Sequence, residues 1–172
     1  MLQNIMAYEE SVFKVVHKSE NFEIRYYEER IVIQTRYKSG NNSFRKLFNY
    51  ISGKNKEEKK IEMTTPVTVL QDDDQMIMQF FLPSRFDINS APLPADDSIE
   101  IASINAGYFA VIKYSGFASD QNFIKHANIL KSLLDLNKIE IASQPIKATY
   151  DGPFTLPNLR RNEAMFLVKW EK

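Results

Sequence analysis

The 172-residue chain has no cysteine, which excludes disulfides, zinc thiolates, thiolate-ligated metals and cofactors attached through thioethers. Histidine is nearly absent too: His17 and His126 are the only two. Net charge is missing, with 22 Lys+Arg against 22 Asp+Glu, so no overall field favours nucleic acid or an anionic membrane. The lysines of residues 54–60 cluster, but Glu57 and Glu58 interrupt them, and the segment reads as a solvated turn. No apolar run approaches the roughly 20 residues of a membrane span. Residues 1–16 lack the basic start and apolar stretch of an export signal. A soluble cytoplasmic protein, with no membrane insertion and no nucleic-acid partner, is expected. Catalytic signatures are also missing: no G-x-S-x-G elbow, no phosphate loop and no H-E-x-x-H helix occurs. Glu28–Glu29 and Asp96–Asp97 are neighbours in expected turns. A non-enzyme is expected.

What is present suffices for one domain with a real core. Polar and apolar residues alternate over residues 22–26, 31–37, 76–82 and 108–114, the period of half-buried strands. Residues 164–170 are more continuously apolar, as in a central strand. Phe44, Leu47, Phe48 and Ile51 share one helical face, with Asn42 or Ser43 as cap and Gly53 at the terminating position. A second helix, over about 120–135, aligns Phe123, Ala127, Leu130 and Leu134, with Ser119 or Asp120 as cap. Asp72, Asp73 and Asp74 read as a hairpin turn, and residues 83–97 as the longest loop. Tyr37-Lys38-Ser39-Gly40 and Tyr114-Ser115-Gly116 each close a strand and precede a helix. The chain therefore reads as a duplicated β-α-β-β unit, with pseudo-repeats over about 20–82 and 99–170. Such a half cannot bury its apolar face alone, so the halves are expected to pack together.

Residues 44–67, FRKLFNYISGKNKEEKKIEMTTPV, resemble the signature of the SOUL haem-binding family in the pattern FxxLFxYIxGxNxxxxKIxMTxPV. Phe22-Glu23-Ile24-Arg25-Tyr26-Tyr27 is similar to its Y-E-[IV]-R-x-Y strand, and Phe80-Phe81-Leu82-Pro83 to its F-F-x-P strand end. Residues 150–163, YDGPFTLPNLRRNE, are similar to its C-terminal block. The blocks keep the family's order across residues 8–172. The resemblance implies one α+β domain, a distorted β-barrel of two antiparallel sheets with one main helix in each half. It also implies non-enzymatic, reversible binding of non-covalent b-type haem or another tetrapyrrole, as carrier or buffer. The fold resembles the effector-binding domains of multidrug-sensing regulators as well. That leaves open a small-molecule or protein-interaction module without haem.

A non-covalent haem site needs an apolar slot, cations for the propionates and, optionally, an iron ligand. Phe44, Leu47 and Phe48 supply apolar surface, and Arg45 and Asn49 share its flank. An apolar helical stripe is equally the mark of a core. Met63 is either a soft contact or gap-filler. On the proline-rich C-terminal loop, Phe154 and Leu156 either cover a ligand or close the barrel end. Arg160 and Arg161 either meet propionates or pair with Glu163. Neither histidine is expected to be an obligatory ligand: His17 suits a strand surface and His126 a helix interface. Some family members carry histidine where this chain has Tyr26, so histidine ligation does not carry over; Tyr26 or Tyr27 could bind ferric iron as a phenolate, Tyr26 being the candidate ligand, with packing as the alternative role.

Overall fold

The computed structural model describes residues 8–39 and 42–171. Gly40 and residues 1–7, on which part of the turn and export readings rest, lie outside them. The chain runs β1 (Glu9–Glu10), β2 (Phe13–Lys18), β3 (Glu23–Tyr27), β4 (Arg30–Tyr37), α1 (Ser43–Ile51), β5 (Thr64–Thr65), β6 (Val67–Asp72) and β7 (Gln75–Phe81). It continues as β8 (Ile99–Ile104), β9 (Gly107–Tyr114), α2 (Asp120–Leu136), β10 (Glu140–Ile141), β11 (Ile146–Thr149) and β12 (Asn162–Lys169). The strands come from the alternating segments. β12, the most continuously apolar, is central, between β9 and β11.

The sheet order is β2-β3-β9-β12-β11-β6-β7-β4-β8, with β10 paired to β12. The expected distorted barrel is present as a curled, incompletely closed antiparallel sheet, a half-barrel in which the strands of both halves join continuously, with β1 and β5 a short parallel pair beside it. The join is β6 with β11, in register from Val67–Thr149 to Leu70–Ile146. Pairing them removes two edges that would otherwise leave backbone donors and acceptors open. Read outward from this join, the order is β6-β7-β4-β8 on one side and β11-β12-β9-β3 on the other. The strand ahead of β4 in sequence, β3, thus pairs with β9, while β8, ahead of β9, pairs with β4.

Strand alternation splits the core between two faces. On one face, α1 packs over β4 and β7, with Ile33, Leu47, Met78 and Phe80 in its core. On the same side, α2 covers β9 and β12 through Ala127, Leu130 and Leu134. The other face, turned away from both helices, gathers Tyr27, Phe109, Val111, Ala148 and Met165. α2 starts where Ser119 accepts the Asn122 amide, as its sequence signals. Asn42 stands at the start of α1 but makes no side-chain cap. Gly53, at φ +109°, ends that helix in the region glycine tolerates best.

The α1 stripe differs from its reading in one respect. Leu47 and Ile51 are buried, and so is Tyr50, whose hydroxyl donates to the Pro92 carbonyl at 2.6 Å. Phe44 and Phe48 sit on the flank, 44% and 48% exposed. The following turn is solvated except at Asn55, which is buried. The Asn55 amide donates to the carbonyls of Tyr50 and Lys59 and accepts from the Glu57 and Lys59 amides, so the turn winds around it. Asn55→Ala leaves these groups without partners, and about 2–3 kcal/mol of stability is expected to go with them, read as a lower urea midpoint.

Candidate functional site

The flank of α1 that the core leaves free is aromatic. The Phe44 and Phe48 rings lie nearly parallel, with centroids 6.2 Å apart and planes 12° apart. Phe44 is held from below by the edge of Phe80 at 5.1 Å, and Leu47 anchors the helix into the core beneath. The result is a flat apolar ledge on a rigid element. Arg45 is exposed beside it and makes no ion pair among the described residues, and Asn49 lies one turn on. Met63 packs, partly buried, against the same core cluster.

The C-terminal loop presents apolar side chains that the fold does not use: Phe154 is 98% exposed and Leu156 62%. Its arginines are already engaged. Arg160 donates to the carbonyls of Thr155 and Pro153, both at 2.9 Å, and so braces the loop on itself. Arg161 pairs with Glu10 at 2.8 Å and with Glu163 at 3.2 Å, and stacks 3.8 Å from the Tyr150 ring centre. Among the described residues, no hydrogen bond or ion pair joins this loop to α1. Its ties run to β1 through the Arg161–Glu10 pair and to the turn before α2, through Gly116 to the Pro157 carbonyl and Asn162 to the Gly116 carbonyl.

Beneath the loop lies a buried polar network that sequence reasoning missed. Arg25 and Glu163, 138 residues apart, form a two-pronged ion pair with both N–O distances at 2.9 Å and both side chains fully buried. The Tyr150 hydroxyl donates to Glu163 at 2.6 Å, and Arg25 donates to the Tyr27 oxygen at 3.2 Å and, through Nε, to the Glu23 carboxylate at 3.0 Å. Burial works against both charges, yet the Arg25–Glu163 pairing outweighs it: the arginine is held protonated and the glutamate below its usual range. Burial, then the Glu163 charge, pushes the Tyr150 phenol well above its ordinary value. The available signal was the sequence block that carries Tyr150 and Glu163 together. The expected partner of Glu163 was a neighbouring arginine, and Arg161 is one; its main partner, Arg25, comes from β3.

Tyr26 is not brought to the helix. It lies on β3, whose neighbours in the sheet are β2 and β9, and five strands separate β3 from β4. That is roughly 29 Å along the sheet at about 4.8 Å per step. Its ring packs against Tyr108 at 5.2 Å, and burial, then the nearby Glu28 carboxylate, raises its phenol pKa. A raised phenol pKa disfavours the phenolate that iron would bind. Its contact with Tyr108 is a packing one. His126 stacks on Tyr114, centroids 4.1 Å apart and planes 5° apart, and its Nδ1 meets the Asn122 carbonyl at 2.8 Å. His17 sits against Trp170 at 5.1 Å. Both histidines are packing residues on the α2 half. Among the described residues, no cluster of His, Cys, Asp and Glu could hold a metal ion, and no helix is long and apolar enough to cross a membrane.

Across residues 8–167 the chain matches the family model described as SOUL heme-binding protein. The chain belongs to this family. The family's function is binding of haem or a related tetrapyrrole, without catalysis. Heme-binding protein 1 of Xenopus tropicalis is 27% identical over 131 residues, covering 71% of this chain and 67% of that protein. Heme-binding protein 2 of Homo sapiens is 28% identical over 165 residues, covering 88% and 80%. In fold, the chain is similar to the EcmrR C-terminal domain, with a TM-score of 0.63 at 16% identity, covering 92% of this chain and 98% of that one. Within the SOUL family pattern, the quoted helix signature of this chain contains both the ledge and the buried residues Tyr50 and Asn55 that shape its end.

Proposed function

We propose that this SOUL family member binds haem or a related porphyrin reversibly on the α1 ledge, as a cytoplasmic carrier or buffer. The supporting observation is the pair of nearly parallel, half-exposed rings of Phe44 and Phe48, which suits a flat apolar macrocycle. Attachment is non-covalent and of b type, since a chain without cysteine offers no thiol for a thioether. Leu47 fixes the ledge, Asn49 and Met63 border it, and Phe154 and Leu156 supply further apolar surface. Arg45, unpaired beside the rings, meets a propionate. Arg160 and Arg161 contribute by holding the C-terminal loop.

In this reading most of the affinity comes from the macrocycle and little from an iron ligand. Metal-free protoporphyrin is therefore expected to bind within about tenfold of haemin, or 1.4 kcal/mol. The test is a titration of the purified protein, following the Soret band for haemin and fluorescence for protoporphyrin. Arg45→Ala is expected to weaken haemin by about 1–3 kcal/mol, the range of a charged hydrogen bond. A protein that leaves the Soret band of free haemin unchanged refutes the proposal. That outcome would turn attention to a small-molecule or protein-interaction role without haem.

A further inference from the structure

The face of the sheet turned away from both helices holds a cleft of about 290 Å³, at the lower end of the roughly 300–1,000 Å³ typical of small-molecule sites. Its floor is apolar, with Leu70, Ile146, Met165 and Leu167 among its lining residues. Arg30 also lines it. The guanidinium carbon of Arg30 stands 4.1 Å from the ring centre of Tyr27, 4.7 Å from that of Phe81 and 5.5 Å from that of Phe109. Its Nε is buried without an acceptor, and it makes no ion pair among the described residues. The other polar groups nearby satisfy one another. The Thr68 hydroxyl donates to Gln79 at 2.9 Å, Gln79 donates to Gln34 at 2.9 Å, and the Tyr27 oxygen accepts from Arg25. Among the cleft's lining residues, Arg30 is the one with a buried side-chain donor that has no acceptor.

A largely buried cation with no carboxylate beside it costs stability, and the ring faces offset only part of that. Burial draws its pKa down to about 10, with the Tyr27 and Tyr150 phenols opposing the shift. A guanidinium fork offers two parallel N–H groups, the arrangement that takes a carboxylate or sulfonate in both prongs. The apolar floor suits the flat hydrocarbon body of the same molecule, and Met165 adds a sulfur that favours aromatic contact.

We propose that this cleft is a second binding site, distinct from the α1 ledge, for a small aromatic organic anion whose counter-ion is Arg30. Naphthoate serves as the probe, followed by calorimetry on the full chain. Naphthoate is expected to bind at one site, and the neutral naphthalene methanol at least tenfold more weakly. Arg30→Met keeps the length of the side chain and removes the charge. It is expected to lose naphthoate affinity at least tenfold while its unfolding midpoint stays level or rises. Ala106 is exposed where it lines the cleft, so Ala106→Trp obstructs entry with Arg30 in place and is expected to lose binding too. Haemin at saturation is expected to leave the naphthoate titration unchanged. Equal binding of the alcohol, full binding by Arg30→Met or displacement by haemin would each overturn the proposal. So would the absence of naphthoate binding up to millimolar concentration. Because the haemin titration is separate, failure here leaves the ledge reading standing, and failure there leaves this one.

Discussion

Glu163→Ala is expected to destabilise the fold by about 3–5 kcal/mol, the cost of breaking a buried two-pronged ion pair from one side. The substitution takes from the fully buried Arg25 its two-pronged carboxylate, leaving it only Glu23 at 3.0 Å on Nε, and takes the acceptor from the Tyr150 hydroxyl. It also removes one of the two carboxylates on Arg161. A fold of this size has about 5–15 kcal/mol in all, so the variant sits near the edge of folding at growth temperature. Arg25→Met combined with Glu163→Leu removes both charges and is expected to recover most of the loss, because a paired buried ion and an apolar substitute are often close in stability. Urea unfolding of the wild type, the single variant and the pair gives the comparison. A single variant within about 1 kcal/mol of wild type would mean that Glu23 or water suffices to hold the Arg25 charge and that the Glu163 pair does not carry the fold.

The same pair fixes an acid limit. The Glu163 pKa is held below its unfolded value near 4.5 by Arg25 despite burial. A lowered carboxylate pKa gives stability that is fully present above the unfolded value and is lost as pH falls through the folded one. The wild-type urea midpoint should therefore decline as pH drops below about 4.5. Arg25→Met with Glu163→Leu should show a shallower decline over that window.

The local structure was legible because it depends on neighbours in sequence. Alternation marks β4, β7 and β9, the aspartates at 72–74 mark the hairpin between β6 and β7, and Ser119 marks the start of α2. Sheet order was not legible, since the pairing of β3 with β9 joins strands about eighty residues apart and leaves no local trace. Arg25 shows the same limit. In an alternating strand it reads as a solvent-facing charge, and only the arrival of Glu163 on β12 lets it be buried. For Phe44 and Phe48, helical spacing left core and ligand surface as equal readings, for a related reason. Helical spacing gives a stripe, but Tyr50, whose hydroxyl finds the Pro92 carbonyl, takes part of the buried face and turns the two phenylalanines outward. The part of the stripe that the core does not take is the surface on which the proposed ligand site rests.

That surface carries the second large effect: the double variant Phe44→Ala/Phe48→Ala is expected to lose about 2–4 kcal/mol of haemin affinity, a drop of roughly thirtyfold to a thousandfold. Each ring brings its buried area and the added preference of stacked π systems, about 0.5–1.5 kcal/mol beyond area burial. Since both rings are half-exposed in the free protein, their loss costs the fold little. The contact of Phe44 with Phe80 is the main packing given up, about 1 kcal/mol. Affinity should therefore collapse while the unfolding midpoint moves only slightly, a separation that a simple core defect would not give. His17→Ala/His126→Ala is the matching control. Both rings pack on the α2 half, against Trp170 and Tyr114, so removing them should change haemin affinity by less than about tenfold. Full affinity in the phenylalanine variant, together with loss of the bound Soret band on changing His126 alone, would move the site from α1 to α2 and make that imidazole an iron ligand.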